Sequence, residues 1–299
     1  MVMKKMAWAG PTFVLIWSTG FIIARYGMPY SEPMTFLFLR FIGVLFFMLP
    51  AVLILKPSWP SNSQILHIAI SGVLIQFGYL GGVWAAVREG MPAGLSSLIV
   101  GLQPVLTAVL ASMVAERVTL RQWLGLILGL IGVGLVLYSK ISLDGLSPLS
   151  LIFIIGGLFS ITFGTLYQKK YCPHFDLRTG SVIQFSISAL LSLIVAFLFE
   201  TREVQWTVPM IGALLWGILP ISIGAMSLWF LLIREGAATK VSSLMYLTPP
   251  TTAFMAWILF DEPLTALVLA GTCVTMLGVV IVNQTVMPNW LKRFQHSLK

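Results

Sequence analysis

Charged residues are scarce in this sequence. Asp, Glu, Lys and Arg together make up 9% of the 299 residues, whereas 58% are hydrophobic and the mean hydropathy is +0.95. A soluble domain carries about 25% charged residues. A sizeable water-exposed domain is therefore excluded, and the composition favours a chain that lies mostly in a lipid bilayer.

Residue types that carry out chemistry are also few. With 2 cysteines and 3 histidines, neither a disulfide framework nor a metal site is supported, and no cofactor is expected. No cluster of catalytic nucleophiles indicates a membrane enzyme. The 10 acidic residues fall in connections or at helix ends. A proton relay normally needs a carboxylate or histidine inside the membrane, so no coupling ion is indicated.

Long apolar runs are abundant instead. About 20 apolar residues span a bilayer as a helix, and continuous runs are typical of helices rather than barrel strands. The sequence predicts an all-α integral membrane protein with ten transmembrane helices. Their predicted spans are 7–26, 33–55, 64–87, 93–114, 120–139, 149–169, 179–199, 208–233, 239–260 and 264–285.

The second half of the chain repeats the first at a constant offset of 146 residues. Arg88-Glu89-Gly90, which is predicted to close helix 3, returns as Arg234-Glu235-Gly236 at the end of helix 8. Further matches keep the offset, including Gly78 with Gly224, Pro104 with Pro250, Glu116 with Glu262, Thr119 with Thr265, and Gly125 and Gly132 with Gly271 and Gly278. Two homologous halves of membrane helices are typical of a transporter.

An odd number of helices in each half inverts the second half relative to the first. We expect a first five-helix repeat at 1–140, an inverted second repeat at 141–286 and a basic tail at 287–299. Most of the 18 Lys and Arg residues fall on one side if both termini are cytoplasmic, as the positive-inside rule favours. The net charge of +8 reflects this bias, and nucleic acid is not an expected partner.

Prolines predict where a cavity lies. Pro104 falls at the middle of predicted helix 4, and Pro249-Pro250 falls at the middle of predicted helix 9. A proline inside a helix frees the carbonyl four residues earlier, here those of Val100, Met245 and Tyr246. Free carbonyls at bilayer depth are tolerated inside protein or beside a wet cavity. We therefore expect a central cavity between helices 4 and 9, although simple packing kinks are the alternative.

Polar and aromatic residues near the middle of the predicted helices are candidates for binding a substrate. These are Trp17, Ser18, Gln76, Tyr79, Val100, Gln103, Phe163, Ser222, Trp229, Tyr246 and Pro249. A buried amide is costly unless it is paired, so Gln76 and Gln103 are expected to bond each other or a ligand. For each aromatic side chain, packing against lipid is the alternative.

A second group of residues is predicted to have structural or gating roles: Arg40, Pro104, Pro250, Glu116 and Glu262. Arg40 is the one full charge inside a predicted span. It can snorkel towards the membrane surface, hold backbone carbonyls or meet a substrate carboxylate. Glu116 and Glu262 precede helices 5 and 10, where negative charge is favourable. Glycines in those two helices indicate close helix packing away from the transport pathway.

Ten helices, Arg40 in helix 2 and the blocks Glu116–Thr119 and Glu262–Thr265, each followed by glycines, resemble the EamA-type drug/metabolite transporter superfamily. The chain is most similar in character to its bacterial amino-acid and metabolite exporters. This resemblance implies a central cavity lined by helices 1, 3, 4, 6, 8 and 9, with helices 5 and 10 peripheral. Arg117 departs from the pattern, since a proline usually follows the glutamate.

The sequence therefore predicts a secondary transporter of a bacterial inner membrane that exports amino acids or related zwitterions by alternating access. The alternative on the same scaffold is an importer or exchanger of a nucleotide-like or cofactor metabolite. A channel is less favoured, because a channel does not need two inverted halves. The expected partners are a small metabolite and the lipid bilayer. A monomer is expected, with a dimer as the alternative.

Overall fold

The protein is described here by a computed structural model that covers residues 8–103, 105–107, 109–110, 120–144, 146–172, 175–225, 227–228 and 247–283. Ten helices lie in these ranges and follow the order of the predicted ones. They are α1 (Ala9–Gly27), α2 (Pro33–Leu55), α3 (Asn62–Arg88), α4 (Ala93–Val100), α5 (Leu120–Asp144), α6 (Pro148–Tyr171), α7 (Leu177–Phe199), α8 (Val208–Ala225), α9 (Thr248–Phe260) and α10 (Ala266–Asn283).

The lengths of these helices suit a membrane. In the described ranges, five are long and apolar enough to cross a bilayer: α2, α3, α6, α7 and α8. Their sequences are apolar on most faces, and large apolar side chains such as Phe46, Leu198 and Phe199 are exposed. Exposed apolar surface of this extent is favourable only against lipid. The all-helical fold predicted from composition is confirmed.

Two helices contain a π-helical stretch, which was not predicted. In α3 it covers Val73–Gly78, and in α8 it covers Gly217–Ala225. Adding the repeat offset of 146 to positions 73–78 gives 219–224, so the two stretches occupy equivalent positions. In α3 the Ser160 hydroxyl of α6 donates to the Leu74 carbonyl at 2.8 Å. The duplication therefore extends to an uncommon backbone geometry that often marks functional sites.

The pairing of α5 with α10 follows the glycine pattern. A Cβ atom on Gly278 would lie 2.6 Å from the Gly125 carbonyl oxygen, and one on Gly271 would lie 2.5 Å from that of Gly132. These backbones approach so closely that only glycine fits at the contact. The predicted close packing of these two helices is confirmed.

The proline interruptions differ from the prediction. Helix α4 ends at Val100, a turn follows at Gly101 and Leu102, and helical structure resumes at Gln103. Pro249 and Pro250 lie in the first turn of α9, which begins at Thr248, rather than at the middle of a helix. A proline fits a first turn because the N–H groups there have no acceptor within the helix. Pro104, Met245 and Tyr246 lie outside the described residues.

Glu262 caps a helix other than the one expected. Its carboxylate accepts the backbone N–H groups of Ala93 at 2.9 Å and Gly94 at 3.3 Å, at the N-terminus of α4. The N-terminus of α10 is capped by Thr265, whose hydroxyl accepts the N–H of Val268. Glu262 therefore joins the second half of the chain to the first. Glu116 lies outside the described residues.

The same edge of the molecule carries a second contact of this kind. The Glu200 carboxylate, at the end of α7, accepts the N–H groups of Met34 and Thr35 at 2.7 and 2.8 Å. Nearby, the N–H of Gln205 donates to the Tyr30 carbonyl at 2.9 Å. Negative charge at a helix N-terminus is stabilising. Two carboxylates of the second half therefore hold the starts of α2 and α4.

Candidate functional site

The end of α4 and the start of α9, one from each half of the chain, lie against each other. A Cβ atom on Gly101 would lie 2.9 Å from Cγ of Pro249, so the two chain segments are in direct contact. Beside this contact is a small cavity of about 40 Å³ that is partly open to the outside. This is room for a few water molecules, whereas sites that hold a small organic molecule measure about 300 to 1,000 Å³. The cavity is lined by Trp17, Phe21, Tyr79, Ser97, Val100, Gly101, Gln103, Ile161, Thr248, Pro249, Thr275, Met276 and Val279.

Five of the residues predicted to bind substrate line this cavity: Trp17, Tyr79, Val100, Gln103 and Pro249. Four of them come from different helices, α1, α3, α4 and α9, and Gln103 lies where helical structure resumes after α4. Because they are far apart in sequence, the fold alone brings them together. The proline argument therefore pointed to a region where several candidates do come together, although the geometry of the prolines was different.

Gln103 has a partner other than Gln76. Its side-chain nitrogen donates to the Thr165 hydroxyl of α6 at 3.1 Å, and that hydroxyl donates to the Ile161 carbonyl at 2.7 Å. Gln76 lies half-buried in the π-helical stretch of α3 and is not among the lining residues. The expected pairing of the two amides is therefore wrong. Gln103 is held by a chain of two hydrogen bonds that leads to a helix backbone.

Three further candidates lie away from the cavity surface. Phe163 is 49% exposed on the outside of α6 and stacks on Phe159. Ser18 is fully buried behind Trp17, and its carbonyl accepts the Thr252 hydroxyl of α9 at 3.2 Å. Ser222 bonds Arg40 instead. Trp229 and Tyr246 lie outside the described residues, so their predicted roles stay predictions.

Thr248 was missed by sequence reasoning. It lines the cavity at the start of α9 and is 6% exposed, and its hydroxyl has no hydrogen-bond partner among the described residues. A buried polar atom without a partner is costly, so this hydroxyl is available to a ligand. Its position next to Pro249 was the signal that could have identified it.

Helix α10 also reaches the cavity, through Thr275, Met276 and Val279. The sequence placed this helix away from the pathway because of its glycines. Those glycines do face α5, but another side of α10 faces the cavity. The assignment of α10 as purely peripheral is therefore wrong.

Arg40 is buried inside the bundle rather than extended to the surface. It is 4% exposed, and its Nε and one terminal nitrogen donate to the Ser222 hydroxyl at 3.3 and 3.1 Å. The Ser222 hydroxyl donates in turn to the Gly217 carbonyl at 2.9 Å, across the π-helical stretch of α8. The guanidinium carbon lies 5.5 Å from the centre of the Trp84 ring. Snorkelling is therefore excluded, and Arg40 joins α2 of the first half to α8 of the second.

The sequence and the fold both match known proteins. A model of the EamA-like transporter family matches residues 5–138 and again residues 148–284. An uncharacterized transporter of Bacillus subtilis, YvbV, is 30% identical over 280 residues, covering 90% of this chain and 88% of its own.

Other similar proteins carry more specific names. A probable amino-acid metabolite efflux pump of Salmonella typhimurium is 26% identical over 281 residues, covering 90% of this chain and 91% of its own. A protein of the same name from Escherichia coli is similar to the same extent. One protein of known crystal structure superimposes with a TM-score of 0.66 over 97% of this chain and 99% of its own, at 16% identity. That likeness concerns the fold alone.

Proposed function

This chain belongs to the EamA-like transporter family, and we propose that it exports amino acids or related zwitterionic metabolites by alternating access. Family membership makes it a multi-pass membrane transporter and not an enzyme. Two similar bacterial proteins are named probable amino-acid metabolite efflux pumps, which supports the proposed substrate class.

The cavity between α4 and α9 is the observation that carries the proposal. Its wall combines an aromatic part, Trp17 and Phe21, with polar groups from Gln103 and Thr248. A zwitterion with a carbon side chain needs both kinds of surface, because its charged end must be hydrogen-bonded while its side chain is buried. The cavity measures about 40 Å³ in the conformation described, so we expect it to widen when a substrate binds.

We further propose ten membrane spans arranged as two inverted repeats of five, with both termini in the cytoplasm of a bacterial cell and a monomer as the working unit. The family model matches each half once, and the π-helical stretches recur at the repeat offset. Inverted repeats give two similar conformations that open to opposite sides. In this arrangement Glu262 and Glu200 lie on the periplasmic side, where they join the two halves.

Counterflow in proteoliposomes tests the function. Purified protein is reconstituted into vesicles loaded with one of the twenty L-amino acids, and uptake of the same labelled compound is measured. We expect saturable counterflow with a subset of amino acids and none in protein-free vesicles. A parallel series with nucleotides covers the alternative substrate class. Counterflow with nucleotides only would overturn the amino-acid proposal.

A further inference from the structure

Arg40 has hydrogen-bonding capacity that the described protein does not use. Two of its three guanidinium nitrogens bond Ser222, whereas the other terminal nitrogen, Nη1, is buried and has no partner among the described residues. Ser222 is a neutral partner, and the ion pair found in the described ranges joins Arg178 and Asp176 elsewhere. A buried cation without a counter-ion is strongly unfavourable. Within the described residues, the charge of Arg40 is therefore not compensated.

Arg40 is not among the residues that line the cavity, but it lies near one of them. Tyr79, which lines the cavity, is close enough to Arg40 for the two side chains to interact electrostatically. On the other side, a Cβ atom on Gly217 would lie 3.3 Å from Cδ of Arg40, so the glycine at this position leaves room for the arginine. Ser222 bonds one edge of the guanidinium, and Nη1 on the other edge has no partner among the described residues.

This position is not duplicated. The offset of 146 that relates the two halves takes Arg40 to Ser186 in α7, although it preserves glycines, a glutamate, a proline and the π-helical stretches. Inverted repeats exchange two conformations when one repeat moves against the other, so we expect elements of that exchange to recur in both halves. A substrate with two different ends needs an unsymmetrical site. An arginine present in one half therefore suits substrate recognition better than the conformational change.

We propose that Arg40 is the anchor for the carboxylate of the transported molecule. In this proposal, Nη1 donates a charge-assisted hydrogen bond to one carboxylate oxygen. The Tyr79 side chain moves aside to let the carboxylate reach Arg40, and the rest of the substrate extends between Trp17 and Gln103. The same charge compensates Arg40 in the bundle interior. This inference rests on the proposed function, since it names the group by which that site recognises an amino acid.

The test compares acids with neutral analogues in the full-length protein. Counterflow of one labelled amino acid is measured in the presence of each of the twenty L-amino acids as a competitor. The same is done with the corresponding primary amides, which lack the carboxylate, and the inhibition by each pair is compared. The wild-type protein is expected to prefer the acids over their amides by about 10- to 100-fold, the effect of one hydrogen bond to a charged group. Arg40→Gln is expected to lose this preference, and Arg40→Lys is expected to keep part of it.

Arg88→Gln is the matched control. Arg88 is an arginine at the end of α3, and its side chain bonds the Met28 carbonyl and lies outside the cavity lining. This variant is expected to keep the wild-type preference. If Arg40→Gln does not insert into the membrane, the proposal is tested by the acid-over-amide preference of Arg40→Lys and of the wild-type protein. A wild-type protein that accepts amides as well as acids, or an Arg40 variant with full acid preference, would overturn the anchor while leaving transport intact.

Inorganic anions are the other source of the same chemistry. Thermal unfolding of the purified protein is measured with chloride, phosphate and amino acids at equal concentration. Stabilisation by chloride or phosphate that equals that by amino acids and disappears in Arg40→Gln would make Arg40 the site of a structural counter-ion, which overturns the proposal. Absence of amino-acid counterflow in the wild type would instead overturn the proposed function.

Discussion

Gln103 is oriented before any substrate arrives. Its amide nitrogen is held by Thr165, and Thr165 is held by the backbone of α6. A polar side chain that is fixed by a partner loses little freedom when it binds a ligand, so it contributes more to affinity. Of the two glutamines singled out by the sequence, Gln103 is therefore the one on which we expect substrate binding to depend.

The two glutamines form a matched pair for mutation. Gln103→Ala is expected to lower the kcat/KM of amino-acid counterflow by about 10-fold, because a hydrogen bond to a charged ligand is lost. Gln76→Ala removes the same amide from a position outside the cavity lining and is expected to leave the rate within about twofold. Initial rates are compared at equal amounts of reconstituted protein. Equal losses in both variants would remove Gln103 from the site.

At the scale of helices, carboxylates at helix N-termini replace side-chain caps. The residue before α4 is Pro92, which has no side-chain hydroxyl or carboxylate to offer, and Glu262 supplies the acceptor from a connection far along the chain. Glu200 does the same for α2. The starts of these helices are therefore stable only in the assembled bundle.

Glu262→Ala is expected to destabilise the protein by about 1 kcal/mol, the usual effect of losing a helix cap. This corresponds to a midpoint of thermal unfolding lower by about 2 to 4 °C. Glu203→Ala, which removes an exposed carboxylate near the same edge, is expected to have no measurable effect. The midpoints are measured in detergent. Equal midpoints for the wild type and Glu262→Ala would show that the contact with α4 contributes nothing.

The contact of α5 with α10 provides a second test at this scale. Gly132→Val places a branched side chain against the Gly271 carbonyl and Thr275, and is expected to reduce the free energy of unfolding by about 1 to 3 kcal/mol. Gly134→Val is the control, because a Cβ atom there meets nothing within 4 Å among the described residues. Thermal unfolding of both variants is compared with the wild type. The close contact is unimportant if the two substitutions behave alike.

At the scale of the whole molecule, the cavity lies where the two halves of the chain meet. The family model matches the two halves separately, and the turn after α4 meets the start of α9 at Gly101 and Pro249. A site at the boundary of two halves changes its access when one half rocks against the other. The proposed alternating access therefore predicts that this cavity opens to each side of the membrane in turn.

Cysteine labelling tests the inversion of the halves. Glu89→Cys, at the end of α3, is expected to react with a membrane-impermeant thiol reagent in intact bacterial cells. Its repeat counterpart Glu235→Cys, outside the described residues, is expected to react only after the cells are permeabilised, because the second half is inverted. Cys172 and Cys273 are replaced by Ala in both variants. Labelling of both positions from the same side would exclude inverted repeats.

Much of the fold could be predicted because membrane helices obey a local rule. A run of apolar residues of the right length forms a helix whatever surrounds it, since lipid offers no partner to the backbone. The order of the helices followed from such runs, and the glycines of α5 and α10 indicated close packing but not that the two helices pack against each other. The site was predicted only in part, because Trp17, Tyr79 and Gln103 share a cavity whereas Phe163, chosen by the same reasoning, faces outward.

The sequence by itself determined the class of protein, the helical order and the duplication, since apolar length and a constant offset are properties of the chain read residue by residue. Only the tertiary structure decided that Glu262 caps α4, that Arg40 bonds Ser222, and that α10 reaches the cavity. These contacts join residues more than a hundred positions apart. A long side chain on a helix has several neighbours within reach, and the packing of the other helices selects among them.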